Sequence, residues 1–244
     1  MPSYKSIGRY LKLNGYSNKK SQFKPPLSEA NKIKRLSFAN RWMDAGVFTL
    51  DNVIWTDETR VATHPNNRRL SVWTNQAEAP IQVKMHIGGN SVMFWGCFSK
   101  HGTGPLVSIQ GSMNSAEYIA VLKEELIPEF KRAKRVSSGT WRLMHDNAPC
   151  HTSTAVKTYL TQQRVDVIEW PPYSPDLNPI ENLWQWMKRK LEVDYPVCHS
   201  AEEIEERIFE IWKTITPEMC SAYCENYHKR LLAVMAANGG YTKY

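Results

Sequence analysis

The chain has 244 residues, 42% hydrophobic and 23% charged, a composition typical of one globular domain with at most a small appendage. No stretch approaches the ~20 consecutive apolar residues of a membrane helix, and the N-terminal segment lacks the apolar run of a secretory signal. The net charge of +7 fits a polyanionic partner such as nucleic acid, but simple solubility would explain it equally well. Five cysteines without regular spacing predict free thiols rather than a disulfide framework.

The first part of the chain is strongly basic. Residues 1–41 contain ten Lys and Arg residues and a single acid, Glu29. Pro25 and Pro26 interrupt this segment, and the run after Ser28 predicts a helix with Ser28 as its N-cap. That helix either contacts nucleic acid or lies as a solvated basic surface on the core. We therefore predict a short basic helical arm over residues 1–45 and a core domain over residues 46–244.

Short apolar runs in the middle of the chain predict strands. Residues 52–56 form one such run, which stops at Asp57. Residues 91–98 and 105–109 are separated by turn-forming residues and predict a hairpin. A helix follows from Asn114, which forms a capping box with Glu117.

The second half of the chain alternates strands with helices. We predict strands over 141–144 and 165–170, a helix over 152–163, and further helices over 180–191, 201–215 and 217–237. Strands joined by short turns pair antiparallel, whereas strands separated by helices pair in parallel. The predicted fold is α/β, a mixed sheet flanked by helices.

Two acids occupy equivalent positions, because Asp57 and Asp146 each follow a buried strand. Open α/β sheets build their sites at the carboxyl ends of strands, so neighbouring strands would bring the two carboxylates within reach of one cation. Hard oxygen ligands favour Mg²⁺ or Mn²⁺. The alternative is that each aspartate only terminates its strand through a side-chain turn.

Glu181 has two explanations as well. Asn178 as N-cap, Pro179 at the first helical position and Glu181 three residues after the cap would form a complete capping box. Capping alone would explain the glutamate. The other explanation is that Glu181 is a third metal-binding carboxylate.

Together these segments match a family. WTDET (55–59), HDNAPCH (145–151) and PPYSPDLNPIENLW (171–184) resemble the Tc1-like branch of the Tc1/mariner transposases, whose Asp-Asp-Glu triad has 34 residues between its second and third members. The same number separates Asp146 from Glu181. The segments SVMFWGCFSKHGTGPL (91–106) and MNSAEYI (113–119) also resemble the family, and the likeness covers about residues 28–235.

The resemblance implies an RNase H-like fold with a five-stranded mixed sheet, and a catalytic triad of Asp57, Asp146 and Glu181. It implies two Mg²⁺ or Mn²⁺ ions, with Asp57 bridging both. It further implies cut-and-paste strand cleavage and strand transfer, on double-stranded DNA comprising transposon ends and a TA target. The expected protein acts in the nucleus as a homodimer assembled on DNA, without a membrane association.

Other residues are assigned supporting roles. Asn147 and His151 would orient the metal ligands or touch a phosphate, although Asn147 equally suits a turn-stabilising role. Basic residues expected near DNA are Lys19, Lys20, Arg68, Arg69, Lys188 and Arg189.

The chain departs from the family pattern at its N-terminus. Full-length relatives begin with two helix-turn-helix units, and here only residues 3–20 resemble the end of the second. The chain is therefore expected to lack most of that region, as a fragment or as a decayed copy. The alternative function is a catalytically unproductive remnant that only binds DNA. A different RNase H-fold nuclease would not explain the SPDLNPIENLW match.

Overall fold

A computed structural model of the protein describes residues 3–20, 26–46, 50–62, 71–75 and 91–244. These residues belong to two units: Met1–Pro26 with His64–Gly88, and Leu27–Thr63 with Gly89–Tyr244. Among the residues so described, no helix is both long and apolar enough to cross a bilayer.

The regular elements follow one another along the chain as α1 (Tyr4–Leu13), β1 (Tyr16–Lys20), α2 (Glu29–Asp44), β2 (Val53–Ala62), β3 (Ser71–Asn75), β4 (Ser91–Ser99), β5 (Gly102–Ile109), α3 (Ser115–Val121), a π-helical turn (Leu122–Leu126), α4 (Ile127–Val136), β6 (Arg142–Met144), α5 (Pro149–Thr152), α6 (Thr154–Gln162), β7 (Asp166–Val167), a 3₁₀ turn (Pro175–Leu177), α7 (Ile180–Asp194), α8 (Ala201–Lys213), α9 (Pro217–Glu225) and α10 (Tyr227–Ala236).

The smaller unit contains α1, β1 and β3. The side chain of Ser3 caps α1 by accepting a hydrogen bond from the backbone N–H of Ser6. Strands β1 and β3 pair antiparallel, with Tyr16 opposite Asn75 and Lys20 opposite Ser71.

The larger unit is built on a mixed sheet of five strands in the order β5-β4-β2-β6-β7. β2 pairs antiparallel with β4 and parallel with β6, and β6 pairs parallel with β7. β4 and β5 form the antiparallel hairpin that the sequence predicts. This architecture confirms the predicted α/β class and its five-stranded mixed sheet.

Helices cover both faces of this sheet because successive side chains of β2 point to opposite sides. Val53 and Trp55 belong to an apolar core shared with α2, α7, α8 and α10. Ile54 belongs to a separate core shared with α3, α4 and α6. The adjacent acids of β2, Asp57 and Glu58, therefore point to opposite faces of the sheet.

Several predicted helix starts are confirmed. Ser28 caps α2 by accepting from the N–H of Asn31, and Asn114 and Glu117 form the predicted capping box. The buried face of α7 is the predicted one and ends at Leu191.

Some predicted boundaries are wrong. β2 does not stop at Asp57 but continues to Ala62, because β4 supplies hydrogen-bonding partners along that whole length. The helix predicted over 152–163 is divided at Ser153, whose extended backbone (ψ 150°) ends α5 while its side chain caps α6. The helix predicted over 217–237 is divided at Asn226, whose non-helical backbone ends α9. β7 is limited to Asp166–Val167.

Candidate active site

The register of two neighbouring strands brings the first two acids together. The parallel pairing of β2 with β6 ends where Trp55 lies opposite Met144. Asp57 and Asp146 each follow two residues after that last pair. Since the strands run in the same direction, the two aspartates lie next to each other where β6 ends.

Asp57 lies within β2 rather than at its end, opposite Gly96 of β4. It shares the face of Val53 and Trp55, the face that α7 covers. A Cβ atom at Gly96 would lie 2.7 Å from Cη2 of Trp184, so only glycine permits this close approach of α7 to the sheet. Trp184 is one helical turn after Glu181, and its packing therefore sets how near Glu181 comes to Asp57.

The start of α7 differs from the predicted capping box. The helix begins at Ile180 with Pro179 in the N-cap position and without a side-chain cap. The side-chain oxygen of Asn178 accepts from the N–H of Ile180 at 3.4 Å, as an N-cap residue would. Its amide nitrogen also donates to the backbone oxygen of Thr56 (3.3 Å) and reaches Asp57 Oδ2 at 3.5 Å. Asn178 thus ties the segment before Glu181 to the strand that carries Asp57.

The three acids line one open pocket of about 540 Å³, together with Asn178 and the segment around Trp170. Burial raises the pKa of Asp57 well above its ordinary value, and the negative charges of Glu181, Glu58 and Asp146 raise that pKa further. The N–H of Glu58, which donates to Asp57 Oδ1 at 2.8 Å, opposes this rise. The pocket therefore concentrates negative charge.

Asp146 is held by its surroundings. Its Oδ1 accepts hydrogen bonds from the N–H of Ala148 and from His151 Nδ1, both at 2.8 Å. Burial works to raise the pKa of Asp146, but these bonds outweigh it and hold that pKa below its ordinary value. Both contacts are made by Oδ1, which leaves Oδ2 as the oxygen available to a cation.

His151 links Asp146 to a fourth acid. Its side chain is buried, and its Nε2 lies 3.3 Å from Glu58 Oε1. Burial alone would lower the pKa of His151, but the carboxylates of Asp146 and Glu58 outweigh it and raise that pKa to about 10. His151 therefore lies between two carboxylates that favour its protonated form, on the sheet face opposite Asp57.

A second histidine packs beside this ion pair. The ring of His145 stacks on His151 with centroids 5.3 Å apart, and its Nδ1 lies 2.9 Å from the hydroxyl of Tyr118. Burial, followed by the charge of His151, lowers the pKa of His145 to about 4, so this ring is neutral. Sequence reasoning missed Glu58 and Tyr118, although strand alternation along β2 already places Glu58 and Asp57 on opposite faces.

The oxygen donors of the pocket fit a hard divalent cation. Within the described ranges, no three His, Cys, Asp or Glu side chains stand in an arrangement that would already hold an ion. The repulsion that raises the pKa of Asp57 is what a divalent cation would relieve. Asp146 is held by its hydrogen bonds, whereas Glu181 is exposed, so coordination would require the side chain of Glu181 to turn toward Asp57.

The remaining predicted site residues are placed as follows. Asn147 donates to the backbone oxygen of Trp170 at 2.8 Å and so joins the loop after β6 to the proline-rich loop. Burial lowers the pKa of Lys188, and the charges of Glu181 and Asp57 oppose this shift.

The described contacts assign no role to the other basic residues that are predicted near DNA. Arg189 is exposed on α7, and Lys19 and Lys20 lie on β1 of the smaller unit. Arg68 and Arg69 lie outside the described residues. The structure therefore brings Asp57, Asp146 and Glu181 together and leaves these five assignments without a structural test.

Comparisons with known proteins point the same way. A family model described as DDE superfamily endonuclease matches residues 52–202. The transposable element Tcb1 transposase of Caenorhabditis briggsae is 33% identical over 248 aligned positions, which cover 100% of this chain and 89% of that protein. The transposable element Tc1 transposase of Caenorhabditis elegans is 29% identical over the same shares of the two chains.

Solved structures share the fold. The Mos1 transposase catalytic domain with Raltegravir and Mg has a TM-score of 0.68 and 18% identity, covering 90% of this chain and 100% of that one. The Mos1 transposase paired-end complex with the left transposon end has a TM-score of 0.72 and 20% identity, covering 99% and 72%. At this level of identity the likeness supports the RNase H-like architecture.

Proposed function

Because this chain belongs to the Tc1/mariner transposases, whose catalytic part is a DDE superfamily endonuclease domain, we propose that it cuts and rejoins DNA strands with Asp57, Asp146 and Glu181. The observation that carries the proposal is the shared pocket. Acids far apart in sequence line one cavity, and the charges of Glu181 and Asp146 raise the pKa of Asp57.

The proposed cofactor is a pair of Mg²⁺ or Mn²⁺ ions, held by the three carboxylates. When bound, such ions would activate water or a DNA 3′-hydroxyl and stabilise the leaving oxygen of an in-line displacement. The Mos1 transposase catalytic domain has been solved with Raltegravir and Mg and with Raltegravir and Mn, which supports this choice. Asp57, the least exposed of the three, would be the carboxylate that both ions share, and Asp146 and Glu181 would complete the ligand set.

The protein's own residues prepare this site before substrate arrives. His151 fixes the orientation of Asp146 from behind, which leaves the other oxygen toward the pocket. Asn178 fixes the approach of α7 to Asp57. The amine of Lys188 feels the charges of Glu181 and Asp57, and its positive charge would attract a phosphate of the DNA backbone.

We further propose that the substrates are double-stranded transposon ends and a TA target, and that two copies act together on DNA in the nucleus. Support comes from the family and from the Mos1 structures, described as a paired-end complex and a strand transfer complex. The basic arm over residues 1–45, with Lys19 and Lys20 but without the buried Arg35, remains a proposed source of DNA affinity together with Arg68, Arg69 and Arg189.

A nicking assay on supercoiled DNA tests the proposal. Wild-type protein with Mn²⁺ or Mg²⁺ is compared with Asp146→Asn and with a control, Asp166→Asn. Asp166 is half-exposed and pairs with Arg142 on the sheet edge, so its loss removes a similar charge outside the pocket. We expect cleavage by the wild type and the control, and none by Asp146→Asn.

Equal cleavage by wild type and Asp146→Asn would reject the assigned site. Absence of cleavage by all three proteins, with DNA binding retained, would favour the remnant that only binds DNA.

A further inference from the structure

A buried polar network lies behind the pocket, within the larger unit. Its centre is Asp176, in the 3₁₀ turn just before α7 and only 2% exposed. Arg35 of α2, fully buried, forms a two-pronged ion pair with Asp176: Nη1 to Oδ1 at 2.8 Å and Nη2 to Oδ2 at 2.7 Å. Such a geometry fixes both the distance and the plane of the carboxylate.

Arg35 also holds the chain on both sides of Asp176. Its Nη1 donates to the backbone oxygen of Tyr173 (3.2 Å) and to Ser174 Oγ (2.8 Å). Tyr173 has a φ of 51°, a left-handed backbone that a bulky residue adopts only where its surroundings impose it. Arg35 is thus bonded to three of the four residues from Tyr173 to Asp176.

A second arginine reaches the same segment from α10. Arg230, only 4% exposed, donates to the backbone oxygen of Asp176 at 2.7 Å and to the side-chain oxygen of Asn182. Asn182 is the residue next to Glu181 on α7. Arg230 therefore joins the turn before α7 to the first turn of the helix that carries the third acid.

The last residues of the chain complete the network. Arg35 donates to the backbone oxygens of Gly239 (2.8 Å) and Gly240 (2.9 Å). Thr242 donates to Asp176 Oδ2 through both its N–H and its hydroxyl, each at 2.9 Å. Gly239 has a φ of 80°, and a Cβ atom there would lie 2.1 Å from the backbone oxygen of Lys32, so this close docking on α2 requires glycine.

We propose that Arg35 and Arg230, together with the C-terminal segment 239–242, are positioning elements that hold the start of α7, and with it the backbone at Glu181, in place relative to Asp57 and Asp146. The inference rests on the proposed function. A buried ion pair adds little net stability compared with apolar packing, so stability alone is a poor explanation for so many bonds directed at one turn. Asn178 fixes that turn from the pocket side, and the Arg35 network fixes it from behind.

The test measures the Mn²⁺ concentration that gives half-maximal cleavage, alongside Mn²⁺ binding by electron paramagnetic resonance without DNA. The first variant is Arg35→Lys, which keeps the positive charge but cannot bond both oxygens of Asp176 as the guanidinium does. The second is the milder Thr242→Val, which removes only the hydroxyl that donates to Asp176. Arg41→Lys is the matched control, because Arg41 lies on the same helix in an exposed pair with Glu169. Thermal melting reports the folded fraction of each protein.

We expect the half-saturating Mn²⁺ concentration to rise about tenfold or more for Arg35→Lys, as for other residues that orient metal ligands, less for Thr242→Val, and not for Arg41→Lys. A purely structural role would lower the folded fraction and the maximal rate but leave the half-saturating concentration unchanged. If Arg35→Lys does not fold, the comparison of Thr242→Val with wild type decides.

Folded Arg35→Lys and Thr242→Val proteins that titrate with Mn²⁺ like the wild type would overturn the inference. Absence of cleavage by the wild type would instead count against the proposed function, and the binding measurement would still decide whether Arg35 and Thr242 affect the metal site.

Discussion

Replacement of Gly96 by alanine tests how α7 brings Glu181 to the sheet. The new Cβ would lie 2.7 Å from Cη2 of Trp184 and 3.0 Å from Cδ1 of Leu106. Ordinary carbon contacts begin at about 3.5 Å, so the Trp184 ring must retreat by roughly 0.8 Å. Because both contacts lie in a packed core, the movement is transmitted to α7 rather than absorbed by empty space.

Overpacking of this kind costs about 1–3 kcal/mol of unfolding free energy, or roughly 2–4 °C of Tm for each kcal/mol in a domain of this size. A misplacement of about 1 Å at a catalytic group costs on the order of 100-fold in rate. We therefore expect Gly96→Ala to remain folded and to cleave DNA roughly 10- to 100-fold more slowly at saturating Mn²⁺.

Gly104→Ala is the matched control. Its Cβ would lie 2.5 Å from Cys97 Sγ and 3.2 Å from Glu129, which is similar overpacking in the same sheet but away from Glu181. We expect a comparable loss of Tm with a nearly unchanged rate. A folded Gly96→Ala protein that cleaves at the wild-type rate would refute the argument that this contact positions Glu181.

Three further outcomes are expected. Burial works to raise the pKa of Asp176, but the bonds and charge of Arg35 hold it below 3.8. The carboxylate therefore stabilises the fold at neutral pH. Urea unfolding should show that the wild type loses this contribution to the free energy of unfolding as the pH falls below 3.8, whereas Asp176→Asn shows no such loss. His151→Gln should lower the cleavage rate about 10- to 100-fold, because Asp146 loses its orienting partner; an unchanged rate would contradict that role. Lys188→Met should reduce the salt dependence of DNA binding by about one ion, whereas Lys190→Met, whose amine pairs with Asp194, should change it less.

Local patterns predict most of the elements around the site. The capping signals at Ser28 and Asn114 act within one helical turn, and both are confirmed. The length of β2 cannot be predicted in this way, since it depends on pairing with β4, from Trp55 opposite Phe98 to Ala62 opposite Ser91. For that reason the sequence places Asp57 at a strand end, whereas it lies inside a long central strand.

The start of α7 shows the same limit. Read locally, Asn178 is a good N-cap, and its side-chain oxygen does accept from Ile180. The local pattern does not predict that its amide nitrogen also donates to Thr56, which is distant in sequence. Arg35 reads as one more surface charge of a basic helix, yet it is fully buried because Asp176 and the backbone of Gly239 supply its partners. Tertiary contacts add the second role of Asn178 and decide the role of Arg35.

The most direct test of the central claim is a crystal structure of the protein soaked in Mn²⁺, with anomalous diffraction used to locate the metal. We predict Mn²⁺ between Asp57, Asp146 and Glu181, with the side chain of Glu181 rotated toward Asp57. Manganese bound elsewhere, with this pocket empty at saturating concentration, would contradict the account.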